Sequence, residues 1–298
     1  MTGVAHVLPS AVAVEGARAL DEALTRLVGG RPIADYAVSG VDGAWDVLRS
    51  GGWDRLAAGE EDDGFGLPLR DLVEIAQVLG SHLVPIPVTT SIVLRGPGGY
   101  GDGHDRPLAV AVTRRSAPVR ARVVYGGYPD VAVPNLPGDV EPKPCDGFAP
   151  TLRMAAIEVP AGSLGAEVRR WLSVLWAAEA VGSAGRLLRE AVAYAKVREQ
   201  FGQPIGRFQA VKHLLADSHL AHQEGLTATV WAANEAGPAP QALRLVFRRC
   251  LVVSESATQV FGGIGMTWEL GLHFHTRHMV LLRDLTEDLL TQGRTPRT

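Results

Sequence analysis

The residues with the clearest chemical potential lie between positions 194 and 209, in the stretch YAKVREQFGQPIGRFQ. This pattern predicts that one helix ends near Arg198, that the chain turns, and that a second helix begins near Phe208 and Gln209. A guanidinium beside exposed turn amides can bind a pyrophosphate through two hydrogen bonds, and the ring of Phe201 or Phe208 can pack on an adenine or a ribose. The same residues equally fit an arginine that complements the dipole of a helix C-terminus, followed by core phenylalanines.

A second candidate segment, 259–269, reads QVFGGIGMTWE and predicts a helix that runs into a glycine-rich turn. Gly262, Gly263 and Gly265 permit positive φ angles and a close approach of the backbone, which suits a passing phosphate or dinucleotide. An ordinary helix C-cap with a tight turn accounts for the same pattern. Both interpretations stay open on the residues alone.

Histidines near the C-terminus raise the question of a metal. His275 and His278 share a helical face with His273 close by, but no carboxylate or cysteine completes a ligand set. His219 and His222 have the same spacing and the same interpretation. We therefore expect no metal site, and expect the C-terminal histidines to face solvent or an interface. The sequence contains no serine nucleophile elbow, Walker loop or strand-linked GxGxxG motif.

Elements that must position these segments fall into three zones. Hydrophobic periodicity predicts N-terminal helices at 11–28, 45–57 and 70–80. Short β-type runs follow at 108–112, 120–125, 130–133 and 154–159. Long helical patterns then cover 164–200, 208–235, 239–261 and 273–290, with small residues such as Gly182 that allow close helix packing.

These zones define the predicted domain organisation. An N-terminal helical domain occupies residues 1–93, a reduced central β domain 94–160, and a C-terminal four-helix bundle 161–298. The fold class is therefore mainly α.

Composition excludes several functions. The chain has 298 residues, 46% hydrophobic and 20% charged, with a net charge of -3, so it has neither a basic footprint for nucleic acid nor a polybasic membrane patch. Two cysteines, Cys145 and Cys250, cannot build a disulfide framework. The first eleven residues lack the basic and apolar regions of a signal peptide, and no apolar run is long enough to span a membrane. We expect a cytoplasmic protein.

Taken together, the two motifs carry a resemblance that neither carries alone. Arg198, Phe201 and Gly202, followed by the QVFGGIGMTWE segment at this separation, resemble the C-terminal helical domain of the acyl-CoA dehydrogenase family, from about residue 163 to residue 285. The loop GFGLP at 64–68 resembles part of the N-terminal helical domain of that family. The form GGIGMTWE is most similar to actinobacterial members that act on steroid side chains and often work as heteromeric pairs.

The resemblance implies an FAD that lies across a subunit interface, with its flavin ring on the β domain of one subunit and its ADP half on the C-terminal domain of the neighbour. Residues that match the family positions for the ADP half are Arg198, Gln200, Phe201, Phe208, Gln209, Gln259, Gly262 and Gly263. The implied reaction is the α,β-dehydrogenation of an acyl-CoA thioester, with electron-transfer flavoprotein as acceptor. The implied assembly is a hetero-oligomer, such as a heterotetramer, with a catalytic acyl-CoA dehydrogenase subunit.

The family's catalytic carboxylate is missing at both of its known positions. One falls at Leu172, followed by Ser173 where the family has an arginine, and the other falls at about Thr286. Glu287 is a candidate base by proximity, although a solvated glutamate in a frayed C-terminal helix fits it better. The flavin-ring segments of the family are also missing from residues 94–160, and complete members are longer.

Three hypotheses follow from this combination of features. In the first, the chain donates the ADP half-site to a partner that holds the flavin ring and the base. In the second, it is a self-sufficient enzyme with its own bound FAD, and Glu287 or an acidic residue of the β zone is its base. In the third, it is a flavin-free structural subunit.

Overall fold

A computed structural model describes residues 8–100, 105–114, 116–138, 140–145, 147–237 and 239–292. The N-terminal zone is helical. Its helices are α1 (Ala11–Val28), α2 (Ile33–Tyr36), α3 (Ala44–Ser50), α4 (Leu69–His82) and α5 (Val88–Arg95). The predicted absence of a signal peptide concerns residues 1–11, of which 1–7 lie outside the described part.

Helix α1 has the predicted bounds because local chemistry fixes both of its ends. The Ser10 hydroxyl accepts a hydrogen bond from the Ala13 amide at 3.1 Å, and Gly29 ends the helix in the left-handed region at φ 59°. The helix predicted at 45–57 is instead divided, because Gly52 has φ 74° and a separate 3₁₀ turn covers Trp53–Arg55. Helix α5 was not predicted, since all eight of its residues are buried and it has no polar face to mark a helical period.

A buried ion pair fixes the 3₁₀ turn against α5. Asp54 and Arg95 are 3.0 Å apart, and their side chains are 1% and 2% exposed. Burial raises the pKa of Asp54 and lowers the pKa of Arg95, while the opposite charge of each partner counteracts the shift. Arg95 also donates to the carbonyl of Arg106 at 2.8 Å, which ties the N-terminal zone to the start of the β zone.

The β zone is one small antiparallel sheet. Its strands are β1 (Val110–Arg114), β2 (Ala117–Val124), β3 (Lys143–Pro144) and β4 (Ala155–Ile157), in the order β1-β2-β4-β3. The run predicted at 130–133 is not a strand, because its first residue, Asp130, has a positive φ of 51°. It contributes one isolated bridge, between Ala132 and Leu108. Strand β3 lies outside the predicted β-type runs.

Four long helices form the C-terminal bundle: α6 (Ala166–Val197), α7 (Gln209–Asn234), α8 (Pro240–Phe261) and α9 (Leu272–Thr291). Helix α6 is its centre and also packs on α4. A Cβ atom on Gly182 would lie 1.8 Å from the carbonyl oxygen of Gln77, and one on Gly80 would lie 1.9 Å from that of Glu179. The close helix approach predicted at Gly182 is confirmed, and it joins the N-terminal zone to the bundle.

No helix among the described residues is long and apolar enough to cross a lipid bilayer. The predicted domain bounds remain a prediction. The elements respect those bounds, except that α5 continues two residues past position 93.

Candidate functional site

The connection between α6 and α7 is a miniature hairpin that presents a phenyl ring to solvent. Strands β5 (Glu199–Gln200) and β6 (Gln203–Pro204) pair antiparallel, and both residues between them have positive φ, 53° at Phe201 and 78° at Gly202. Tight two-residue hairpins need such angles, but glycine or asparagine usually supplies them. Phe201 is 94% exposed, so a bulky residue occupies an unfavourable backbone region with little packing to compensate. Strain of this kind concentrates at ligand-binding sites.

Arg198 stands at the base of this hairpin. Its amide donates to the carbonyl of Tyr194 at 2.8 Å, and its carbonyl accepts from the amide of Ile205 at 2.7 Å, so its backbone is fixed. Its side chain is exposed and makes no hydrogen bond or ion pair with the described part of the chain. The guanidinium is therefore available to an anion.

The start of α7 lies beside this arginine. Phe208 is the N-cap residue and Gln209 is the first helical residue, exposed to solvent. No side-chain hydrogen bond caps this helix, so the amides of its first turn can face a ligand phosphate. The rings of Phe201 and Phe208 meet edge to face, with centroids 6.2 Å apart.

The second predicted turn has an open backbone. Helix α8 ends at Phe261, and a 3₁₀ turn covers Gly262–Met266. Gly262 has φ 65° and ψ -141°, a region that only glycine adopts readily. A Cβ atom on Gly262 or Gly263 would meet no heavy atom within 4 Å, and the nearby Gln259 side chain is exposed. A phosphate can approach this backbone closely.

The fold brings the two turns together at one end of the bundle. Tyr194, one turn before Arg198, stacks on Phe261, with ring centroids 4.5 Å apart and planes inclined by 30°. Gln200 is the exception among the predicted residues, because its side-chain amide donates to the carbonyl of its neighbour Glu199 at 2.6 Å and so serves the hairpin itself.

The surroundings of this end favour an anion. Lys196, Arg207 and Lys212 are exposed within fourteen positions of Arg198 in the chain, whereas Glu199 beside it and Glu255 and Glu269 beside the second turn are the exposed acidic residues. A local excess of positive charge attracts a negatively charged ligand and raises its rate of association.

The two positions that the resemblance assigns to the catalytic base are buried. Leu172 is fully buried in α6, with Ser173 1% exposed, and Thr286 is 1% exposed in α9. Glu287 is not the solvated, frayed side chain expected from sequence, because α9 continues to Thr291 and both carboxylate oxygens of Glu287 accept from Arg244, at 2.6 and 2.8 Å. This pair raises the pKa of Arg244.

The expectation that the C-terminal histidines face solvent or an interface is wrong for two of them. His275 and His278 are buried, at 5% and 2% exposure, because polar partners are provided inside the fold. His275 Nδ1 lies 2.7 Å from Ser183 Oγ, and burial lowers the pKa of His275 to about 3. His278 lies 3.1 Å from Glu179 through Nε2 and 2.9 Å from Thr151 through Nδ1. Among the described residues, no group of three or more metal-ligating side chains comes together.

Sequence reasoning missed Glu179. Its carboxylate bonds His278 from α9 and accepts a short hydrogen bond from Thr89 of α5, while Thr151 extends the network into the β zone. The available signal was a single acidic residue within the small and apolar stretch WAAEAVGSAG of α6. A buried carboxylate needs partners, and the network that provides them draws side chains from all three zones.

The comparisons with known proteins agree with this architecture. The family description "Acyl-CoA dehydrogenase, C-terminal domain" matches residues 171–284. The chain is 33% identical over 263 residues to acyl-CoA dehydrogenase FadE34 of Mycobacterium tuberculosis, covering 74% of this chain but only 37% of that protein. It is 30% identical over 237 residues to acyl-CoA dehydrogenase IpdE2 of the same organism, covering 74% of each.

Solved structures share the fold at low sequence identity. The ChsE4–ChsE5 complex from Mycobacterium tuberculosis matches with a TM-score of 0.73 at 19% identity, covering 97% of this chain and 98% of that one. The steroid ACAD Tcur3481–Tcur3483, solved as a G363A variant, matches with a TM-score of 0.69 at 20% identity, covering 94% and 99%.

The chain has helical zones on either side of a small sheet, and two glycine-containing turns meet at the end of its four-helix bundle. This is the architecture of an acyl-CoA dehydrogenase. The chain belongs to the acyl-CoA dehydrogenase family, whose members are oxidoreductases that act on CH–CH bonds. The predicted family and the mainly α fold are confirmed.

Proposed function

We propose that this chain is a subunit of a heteromeric, FAD-dependent acyl-CoA dehydrogenase. It supplies the binding site for the ADP half of the cofactor, and a partner subunit holds the flavin ring and the catalytic base. One observation carries this proposal: the side chains of Arg198, Phe201, Gln209 and Gln259 are exposed at one end of the bundle, whereas the two positions that the resemblance assigns to the base are the buried Leu172 and Thr286.

The residues present fit an ADP group. Arg198 is suited to hold the pyrophosphate, the exposed ring of Phe201 to cover the adenosine, and the backbone at Gly262 and Gly263 to let the phosphates approach. When bound, FAD accepts the hydride from the β-carbon of the acyl thioester. This chain's own residues bind and orient the distal half of the cofactor and move no proton.

The seam between the sheet and α9 fits the flavin ring poorly. Arg122 and Asp288 form an ion pair across it at 2.5 Å, with side chains 19% and 11% exposed. A cavity of about 360 Å³ remains there, and the described residues that line it are charged or carry a hydroxyl: Arg114, Ser116, Arg122, Asp284, Glu287 and Asp288. Flat ring systems favour mostly apolar walls, which supports a ring site on the partner.

An interface at the cofactor end is supported by exposed apolar side chains. Val197, Phe201, Ile264, Met266 and Trp268 are between 49% and 94% exposed, and all lie in or beside the two turns. Large exposed apolar groups at one place are typical of surfaces that another protein covers.

The substrate proposal rests on the comparisons. We propose an acyl-CoA thioester with a steroid side chain as its acyl group, since a solved steroid ACAD has the same fold. Electron-transfer flavoprotein is the proposed acceptor, and the proposed location is the cytoplasm.

Co-expression tests the proposal. Together with an acyl-CoA dehydrogenase subunit that carries the catalytic glutamate, the chain should yield a yellow complex. Arg198→Ala should weaken FAD binding about tenfold or more, because hydrogen bonds to charged groups contribute about 1.5–3 kcal/mol. Arg248→Ala, on the exposed face of α8, is the matched control. A colourless product would refute the proposal, and unchanged flavin content in Arg198→Ala would show that this arginine is structural.

A further inference from the structure

We propose that Tyr194 is a positioning residue for the ADP half-site, and that its ring couples the Arg198 hairpin to the Gly262–Met266 turn through Phe261. The coupling is a property of this chain alone. Its effect on a nucleotide rests on the proposed function.

On the α6 side, Tyr194 is tied to the hairpin through the backbone. Its carbonyl accepts the Arg198 amide at 2.8 Å, so the two residues share the last turn of the helix. The 3₁₀ turn Ile205–Arg207, which directly follows the returning strand, lies on the same turn of α6, because a Cβ atom on Gly206 would be 2.9 Å from the carbonyl oxygen of Ala195. A shift of the Tyr194 backbone therefore moves both arms of the hairpin.

On the α8 side, Phe261 anchors the glycine turn. It is the last residue of α8 and is 8% exposed, and Gly262 follows it immediately. The turn folds back onto it, since a Cβ atom on Gly265 would lie 3.0 Å from the Phe261 Cβ. The Phe261 ring thus fixes where the open backbone at Gly262 and Gly263 starts.

The ring pair is a direct link between the ends of the two helices that carry the turns. Within the described part of the chain, no hydrogen bond joins residues 198–208 to residues 259–268. The Tyr194 hydroxyl also makes no hydrogen bond with the described residues, so the side chain contacts the second turn through its ring. Beyond the effect of its buried area, a stacked aromatic pair shifts the equilibrium between the packed and the separated arrangement by about two- to thirteenfold.

Hydrogen exchange tests the coupling without any ligand. In Tyr194→Ala and Tyr194→Leu, we expect the amides of 262–266 to exchange about two- to thirteenfold faster, although these residues are far from position 194 in sequence. Tyr194→Phe, which keeps the ring, should exchange like the wild type. Leu188→Ala, a buried residue on the same helix, controls for general destabilisation. Unchanged exchange at 262–266 in both ring-less variants would overturn the proposal.

Calorimetric titration with ADP then tests positioning. If the wild type binds ADP, Tyr194→Leu should weaken binding about two- to thirteenfold and Tyr194→Phe should not, and adding Phe261→Leu to Tyr194→Leu should cost little more. Equal ADP affinity in wild type and Tyr194→Leu would overturn the positioning role. A wild type that binds neither ADP nor FAD, alone or in its complex, would instead refute the proposed function, while hydrogen exchange still decides the coupling.

Discussion

Removing the imidazole of His278 should destabilise the entire chain, because it would leave the buried carboxyl group of Glu179 without its partner from α9. The side chains of Glu179 and His278 are 4% and 3% exposed, and their polar atoms are 3.1 Å apart. In His278→Ala, Glu179 keeps the hydroxyl of Thr89, while Thr151 loses the ring nitrogen 2.9 Å away.

The expected loss is large for a single substitution. Breaking a buried pair by removing one partner costs about 3–5 kcal/mol, and for a chain of this size each kcal/mol lowers the melting temperature by roughly 2–4 °C. His278→Ala should therefore melt on the order of 10 °C lower than the wild type. Glu179→Ala should behave similarly, and the double variant should be more stable than the sum of the two losses predicts, by about 0.5–3 kcal/mol.

Thermal and urea unfolding at neutral pH measure these effects, with circular dichroism as the signal. His213→Ala is the matched control, since that histidine is exposed on α7 and should change stability by less than about 0.5 kcal/mol. If His278→Ala unfolds within about 1 kcal/mol of the wild type, the network does not hold the zones together and the reasoning is wrong.

Three further predictions concern other parts of the chain. Glu287→Gln should lower the free energy of unfolding by less than about 1 kcal/mol, because its ion pair with Arg244 is partly exposed. The variant complex should dehydrogenate substrate at the wild-type rate, and a loss of turnover would favour a self-sufficient enzyme. Gly182→Ala should cost about 1–3 kcal/mol or more in urea unfolding, because the added Cβ would meet backbone 1.8 Å away, whereas Gly237→Ala meets nothing within 4 Å and should be nearly neutral. Burial lowers the pKa of His275 to about 3, so on acidification the imidazole is protonated in the unfolded chain before it is protonated in the folded one, and stability falls as the pH drops from about 6.5 towards 3. The melting temperature of His275→Asn should depend less on pH in that window. An equal pH dependence in wild type and variant would contradict the assignment.

Much of the secondary structure could be predicted because local signals determine it. Ser10 and Gly29 mark the ends of α1, and the long helical patterns of the bundle follow from their own apolar periodicity. The candidate cofactor residues could also be found, since their types and order are written within two short segments. The failures came where local signals mislead: α5 is buried on all sides and so lacks an amphipathic pattern, and the segment at 130–133 looks like a strand but has one bridge.

The sequence by itself predicted two turns with residues able to bind a nucleotide and, through the family resemblance, indicated that neither position assigned to the base carries a carboxylate. Only the tertiary structure decided that the turns meet through Tyr194 and Phe261, which are 67 positions apart in the chain. It also decided that Glu179 and His278 are partners, 99 positions apart, and that two histidines expected at the surface are buried. Composition and periodicity report the environment of a residue averaged over its neighbours in sequence, whereas a buried polar contact depends on which distant helix supplies the other atom.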